Sequence, residues 1–153
     1  MASAPHSLTV LLVEDDPADI LLFTDLLHEV APDIVVEHAE NGREALNYLH
    51  REGDYHGAQR PSLVILDLNM PVMNGHEFLS EVKKNDLFRA IPVLILSTSD
   101  HAEDIRKSYD AQASGYIVKP GNYSEYTEVL KIVKSYWTGA VRLPTLAEAA
   151  ENL

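Results

Sequence analysis

Four apolar runs in the chain each deliver a polar residue suited to phosphate or metal chemistry. Val10-Leu11-Leu12-Val13 leads into Glu14-Asp15-Asp16, and Leu63-Val64-Ile65-Leu66 leads into Asp67. Val93-Leu94-Ile95-Leu96 leads into Ser97, and Gly115-Tyr116-Ile117-Val118 leads into Lys119-Pro120. Short, nearly continuous apolar runs separated by helical patterns are the signature of buried parallel strands. In an open parallel sheet the ligand crevice lies beyond the carboxyl ends of the strands. Strands at all four places bring carboxylates, a hydroxyl and an ammonium to one end of one sheet. An oxygen-only acidic cluster suits a hard divalent cation, and the lysine beside it suits an anion.

The elements that must position these groups alternate strand and helix five times. Asp16-Pro17-Ala18-Asp19 opens the first helix with an N-cap, a proline at the first helical position and an acid in the first turn. Ile20, Phe23, Leu27 and Val30 give that helix one apolar face, and Pro32 stops it. Ile34-Val35-Val36 begins a second strand, and Asn41-Gly42-Arg43-Glu44 is a capping-box start for a helix burying Ala45, Leu46 and Leu49. Residues 51–61 form a long surface loop. Asn74-Gly75 turns into a helix with Phe78, Leu79 and Val82 inward. Asp100 with Glu103 caps the next helix, whose expected inward face is Ala102, Ile105 and Tyr109. The last main helix starts near Ser124 and buries Tyr126, Val129, Val133 and Trp137. Five such units imply a doubly wound α/β fold with helices on both faces of a parallel sheet.

Composition narrows the function classes. The 24 acidic residues outweigh the 12 basic ones for a formal net charge of −12, which argues against a nucleic-acid surface or an anionic membrane. No Cys is present, so disulfides and thiolate chemistry are excluded. No basic, apolar signal sequence or membrane-length run is visible, and the expectation is a soluble, cytoplasmic protein. The seven histidines show no metal-ligand spacing, so no zinc site is expected.

Two motifs are specific: Val13-Glu14-Asp15-Asp16, and Leu66-Asp67-Leu68-Asn69-Met70-Pro71 followed by Asn74-Gly75. With Ser97-Thr98 and Lys119-Pro120 they resemble the receiver domain of bacterial two-component response regulators. The resemblance implies a flavodoxin-like, five-stranded sheet of order 2-1-3-4-5, here spanning residues 8–138 with a C-terminal extension at 139–153. It also implies site roles. Asp67 resembles the phosphoacceptor and is also expected among the metal ligands, Asp15 resembles the direct metal ligand, and Glu14 the second acid acting through water. Asn69 is expected to lend its backbone carbonyl to the metal. Ser97 matches the conformational hydroxyl, Lys119 the phosphate-binding lysine, and Tyr116 the aromatic switch. The Lys119–Pro120 bond resembles the family's cis peptide.

The physics of phosphoryl transfer agrees with that assignment, since positioning and charge neutralisation dominate it. At about 4 Å a like-charge pair costs roughly 4 kcal/mol at an effective dielectric of about 20, so an anionic donor needs a cation among these acids. Mg2+ fits an oxygen set with open water positions. Taken singly, each residue has a plainer reading: a strand-end Asp is more often a cap, a lone Lys is usually solvated, and an aromatic in a strand is commonly core. Asp16 is better read as an N-cap than as a ligand. The joint occurrence is what carries weight.

A rival reading is a phosphatase of the haloacid-dehalogenase type, which also uses a strand-end Asp, a hydroxyl, a Lys and Mg2+. Such enzymes resemble Asp-x-Asp, whereas the second place here is Asn69, which cannot act as a carboxylic acid. The chain is therefore expected to be a signalling domain rather than an enzyme, catalysing at most its own phosphorylation and dephosphorylation. A pseudo-receiver is disfavoured because no member of the phosphorylation set is missing. Glu14-Asp15-Asp16-Pro17-Ala18-Asp19, the long second loop, Ser108-Tyr109-Asp110, Lys119-Pro120-Gly121-Asn122 and Tyr136-Trp137 narrow the resemblance. They are similar to single-domain regulators paired with phytochrome-type histidine kinases, with other sensor kinases as the alternative. Residues 145–153 show a short amphipathic helical pattern, with Thr145 as cap and Glu148 after it. A homodimer through the C-terminal half and this tail is the expected assembly.

Overall fold

The computed structural model describes residues 8–144; the expected tail helix lies outside them. Its elements run β1 (Thr9–Val13), α1 (Pro17–Val30), β2 (Val35–Ala39), α2 (Gly42–Leu49), a 3-10 turn (Gly53–Tyr55), β3 (Leu63–Leu66), α3 (Gly75–Lys84), β4 (Val93–Ser97), α4 (Ala102–Asp110), β5 (Gly115–Val118) and α5 (Tyr123–Ser135). A π-helical turn, Tyr136–Ala140, prolongs α5. The strands form one five-stranded sheet in the order β2-β1-β3-β4-β5, and every adjacent pair is parallel. This is the flavodoxin-like topology expected from the resemblance.

Alternation along the central strands builds two cores. Leu11, Val13, Val64 and Leu66 face one side and meet Ala45, Leu49, Phe78, Leu79 and Val82 of α2 and α3. Val10, Leu12, Leu63 and Ile65 face the other and meet Phe23, Leu26 and Leu27 of α1 with Tyr126, Leu130 and Val133 of α5. Each fully buried side chain of this kind stabilises the fold by about 1.5–3 kcal/mol. β1, β3 and β4 are buried throughout, whereas the edge strands β2 and β5 are partly exposed.

Local signals set the helix starts. Asp16 caps α1 by accepting from the Ala18 amide at 2.9 Å, with Pro17 beginning the helix. Asn74 and Glu77 form a reciprocal capping box on α3. On α2 only half of the expected box forms: Asn41 accepts from the Glu44 amide, while the Glu44 carboxylate accepts from Tyr55 Oη at 2.7 Å. That contact pins the loop after α2 to the helix start.

α4 departs from expectation. Asp100 does not cap it, the N-cap being His101 without a side-chain bond. Ala102 and Tyr109 are exposed, and Ser108 is the buried residue of the helix. The cause is polar anchoring. Asp104 accepts from Ser99 Oγ, and Ser108 Oγ donates to the Asp104 carbonyl at 2.8 Å and lies 3.0 Å from His76 Nε2 of α3. Those contacts turn the Asp104–Ser108 edge inward, leaving Ile105 half-buried and Ala102 and Tyr109 outward. On α5, likewise, Leu130 rather than Val129 is fully buried, and Val129 and Trp137 are half-buried against the same core.

Candidate functional site

Parallel register brings the strand ends into line. Val13 is opposite Leu66, Leu66 opposite Ile95, and Ser97 opposite Val118. The ladder continues one step beyond the strands: Asp67 N donates to Val13 O at 3.0 Å, and Lys119 N donates to Ser97 O at 2.7 Å. Glu14 N donates to Ala39 O at 3.0 Å. Glu14, Asp67, Ser97 and Lys119 therefore stand along the carboxyl edge of β1, β3, β4 and β5, as the sequence predicts.

Glu14, Asp15 and Asp67 converge so that one oxygen of each lies within 4.8 Å of the others. Glu14 and Asp67 are buried and Asp15 is exposed at the mouth. Burial, with the Asp67 charge beside it, pushes the Glu14 carboxyl from its usual 4.5 up to about 7, against the hydrogen bond from Lys119. Burial raises Asp67 as well, opposed by the Lys119 charge and by the amides of Leu68 and Asn69. Three carboxylates held this close repel one another, and a hard divalent cation relieves that repulsion while accepting all three oxygens. The donor set thus fits a divalent metal.

Lys119 is tethered from two sides. Its Nζ lies 3.0 Å from Glu14 Oε2 and 3.1 Å from Asp19 Oδ2. Burial alone would lower its pKa; the hydrogen bond and charge of Glu14, with the charge of Asp67 and the bond to Asp19, outweigh burial and hold it above the usual lysine value. The sequence reads Asp19 as a first-turn helix acid and as part of the motif that narrows the resemblance, with no site role. Nothing in the chain's local pattern signals its contact with a lysine 100 positions away.

Ser97 is fully buried, its Oγ accepting from the Ser99 amide at 3.2 Å. Tyr116 is half-buried against the core on the α2–α3 side of the sheet and donates its hydroxyl to Ser99 O at 2.8 Å. Asn69, with Leu68, Met70, Asn74, His76 and Asp104, lines a cavity of about 470 Å3 beside Asp67. Gly75 makes the close approach of α3 possible: a Cβ there would lie 2.5 Å from the Asp67 carbonyl oxygen. Between them the chain is strained, since Val72 sits at φ 69 in a tight turn closed by Met73 N on Pro71 O. The Lys119–Pro120 peptide, cis in the resemblance, is trans here.

A sheet of this order, carrying an acidic cluster that could hold a metal, a lysine and a buried hydroxyl at the strand ends, has the fold and the site of a receiver-type signalling domain. The chain belongs to the response regulator receiver domain family, whose model matches residues 10–131. Among curated relatives it is 34% identical over 135 residues to the response regulator Rcp1 of Synechocystis, covering 88% of this chain and 92% of that one. It is 35% identical over 136 residues to the probable methanogenesis regulatory protein FilR2 of Methanothrix harundinacea, covering 88% and 86%. The phosphorylated cyanobacterial phytochrome response regulator RcpA superposes with a TM-score of 0.86 at 38% identity, over 92% of this chain and 100% of that one. A Mn2+-bound form of Rcp1 superposes at 0.82 with 34% identity, over 90% and 99%. Membership of this family sets the phosphatase alternative aside. No helix among the described residues is long and apolar enough to cross a membrane.

Proposed function

We propose that the chain accepts a phosphoryl group on Asp67 from the phosphohistidine of a sensor kinase and signals through the resulting change of shape. The observation that carries this reading is Asp67 standing at the end of β3, clustered with Glu14 and Asp15 and within the field of Lys119. An Asp67 oxygen attacks phosphorus in line, a P–O bond forms, the P–N bond breaks, and the imidazole leaves with its electron pair and takes up a proton. Bound Mg2+ would neutralise the charge gathering on the phosphoryl oxygens. Asp15 would hold it directly, Glu14 through water, and Asn69 through its backbone carbonyl. Lys119 contributes a second cation to the phosphoryl oxygens.

The same residues could serve autophosphorylation from small phosphodonors and the later hydrolysis. Ser97 would leave the Ser99 amide for a phosphoryl oxygen, and Tyr116, joined to Ser99, would carry that movement to the face of α4, β5 and α5. The similarity to the phytochrome response regulator RcpA supports a phytochrome-type histidine kinase as partner, with another sensor kinase as the alternative. We place the domain at residues 8–138 and the extension at 139–153, in the cytoplasm, with no nucleic-acid or membrane partner. A homodimer through the C-terminal half and tail is supported by Ile132 and Tyr136, 68% and 50% exposed along α5 and its π-helical turn.

The test is labelling by a phosphorylated histidine kinase in Mg2+. Wild type should form a hydroxylamine-labile adduct, and Asp67→Asn should form none. Full labelling of Asp67→Asn would overturn the assignment.

A further inference from the structure

We propose that Asp19 is a positioning residue for phosphoryl uptake, a parking partner that competes with the incoming phosphoryl group for the Lys119 ammonium. The inference rests on the reading of Asp67 as acceptor and Lys119 as its phosphate partner. Lys119 has three N–H bonds, and two are committed, one to Glu14 at 3.0 Å and one to Asp19 at 3.1 Å. Glu14 belongs to the carboxylate cluster and Asp19 does not. A cation drawn into that cluster competes with Lys119 for Glu14, leaving Asp19 as the carboxylate that still holds the ammonium on the α1 side.

The first turn of α1 fixes Asp19 in this place. Asp16 caps the helix and Pro17 presets its opening dihedral, so the residue three beyond the cap projects toward the β5 end. The Lys119 side chain is only 9% exposed and Asp19 38%, so the contact sits at the rim of a buried site. The third N–H can turn to a phosphoryl oxygen on Asp67, but the second anion then pulls the one ammonium away from its carboxylates, so phosphoryl group and carboxylate compete for its position. The more solvated carboxylate is the cheaper to release, since water replaces the lost contact. Asp19 never touches the reacting atoms; it acts through Lys119.

The measurement is the initial rate of phosphorylation by acetyl phosphate at saturating Mg2+, as a function of donor concentration. In Asp19→Asn the half-saturating concentration should fall by about two- to fivefold, the range of a partly exposed ion pair, with the saturating rate unchanged. Asp19→Ser should behave the same way and guards against a folding defect in the first variant. Asp16→Asn, which alters an acid of the same turn whose side chain accepts from the Ala18 amide and keeps the backbone bond from its own amide to Glu14, should leave half-saturation at the wild-type value. Melting temperatures separate a structural role, which would shift stability without shifting half-saturation. An unchanged or raised half-saturating concentration in both Asp19 variants overturns the proposal. Failure of wild type to be phosphorylated by any donor overturns the acceptor reading itself.

Discussion

Tyr116 Oη donates to the carbonyl of Ser99, two residues beyond the Ser97 hydroxyl whose oxygen accepts from the Ser99 amide. One residue thus joins the strand-end hydroxyl of β4 to the aromatic ring of β5. A shift of Ser97 cannot leave Ser99 in place without breaking one of these bonds. Tyr116→Phe removes the tie at a cost of about 1 kcal/mol. Phosphorylation should persist, while the amide chemical-shift changes it causes in α4 should shrink. Changes identical to wild type would show that the signal bypasses Tyr116.

The raised carboxylates make stability depend on pH in a definite direction. Glu14 titrates near 7 in the folded chain against its usual 4.5, and Asp67 is shifted the same way. The folded state therefore binds protons that the unfolded state has already lost, and stability falls as pH rises through that window. Without metal, urea unfolding should show a loss of about 1–3 kcal/mol between pH of about 5 and about 8. Asp67→Asn should be more stable than wild type near neutrality and show a shallower slope, because one buried charge is gone. Millimolar Mg2+ should flatten the wild-type slope. Stability that rises across this range would contradict the cluster's electrostatics.

Gly75→Ala places a Cβ 2.5 Å from the Asp67 carbonyl and 2.7 Å from Leu68 Cα, both backbone atoms that cannot swing aside. The start of α3 must move, at a cost of about 3 kcal/mol. Chemical denaturation should report that loss, accompanied by weaker labelling of Asp67. A variant as stable as wild type would mean that α3 docks less tightly than this packing requires.

Sedimentation equilibrium addresses the assembly. A chain truncated after Thr138 should dimerise more weakly than the full chain. Equal dimerisation constants would remove the tail from the interface.

The sheet and the alignment of its strand-end groups were legible because buried parallel strands write themselves as apolar runs, each ending at the crevice. Asp67, Glu14, Ser97 and Lys119 followed from that rule alone. The orientation of α4 was not legible, because Ala102, Ile105 and Tyr109 carry a helical spacing while the contacts that orient the helix are made by Asp104 and Ser108. Periodicity reads apolar faces and is blind to polar anchors. Glu44 misled for a related reason: its partner, Tyr55, lies in a loop whose path no local pattern determines. The Asp19 contact escaped notice since a first-turn acid satisfies the helix dipole whether or not a lysine arrives from elsewhere.

The polar seating of α4 has a consequence for how much work a chemical event at Asp67 must do. A helix seated by apolar burial resists displacement in proportion to the surface it would re-expose, and water offers nothing in exchange. α4 is seated by a few hydroxyl and carboxylate contacts, and each can trade its protein partner for water at a net cost of about 1 kcal/mol. Its displacement is a swap of hydrogen-bond partners instead of a tear in the core. A single phosphoryl group, with a limited difference in affinity between two shapes, can drive a rearrangement of that size and leave the two hydrophobic layers undisturbed.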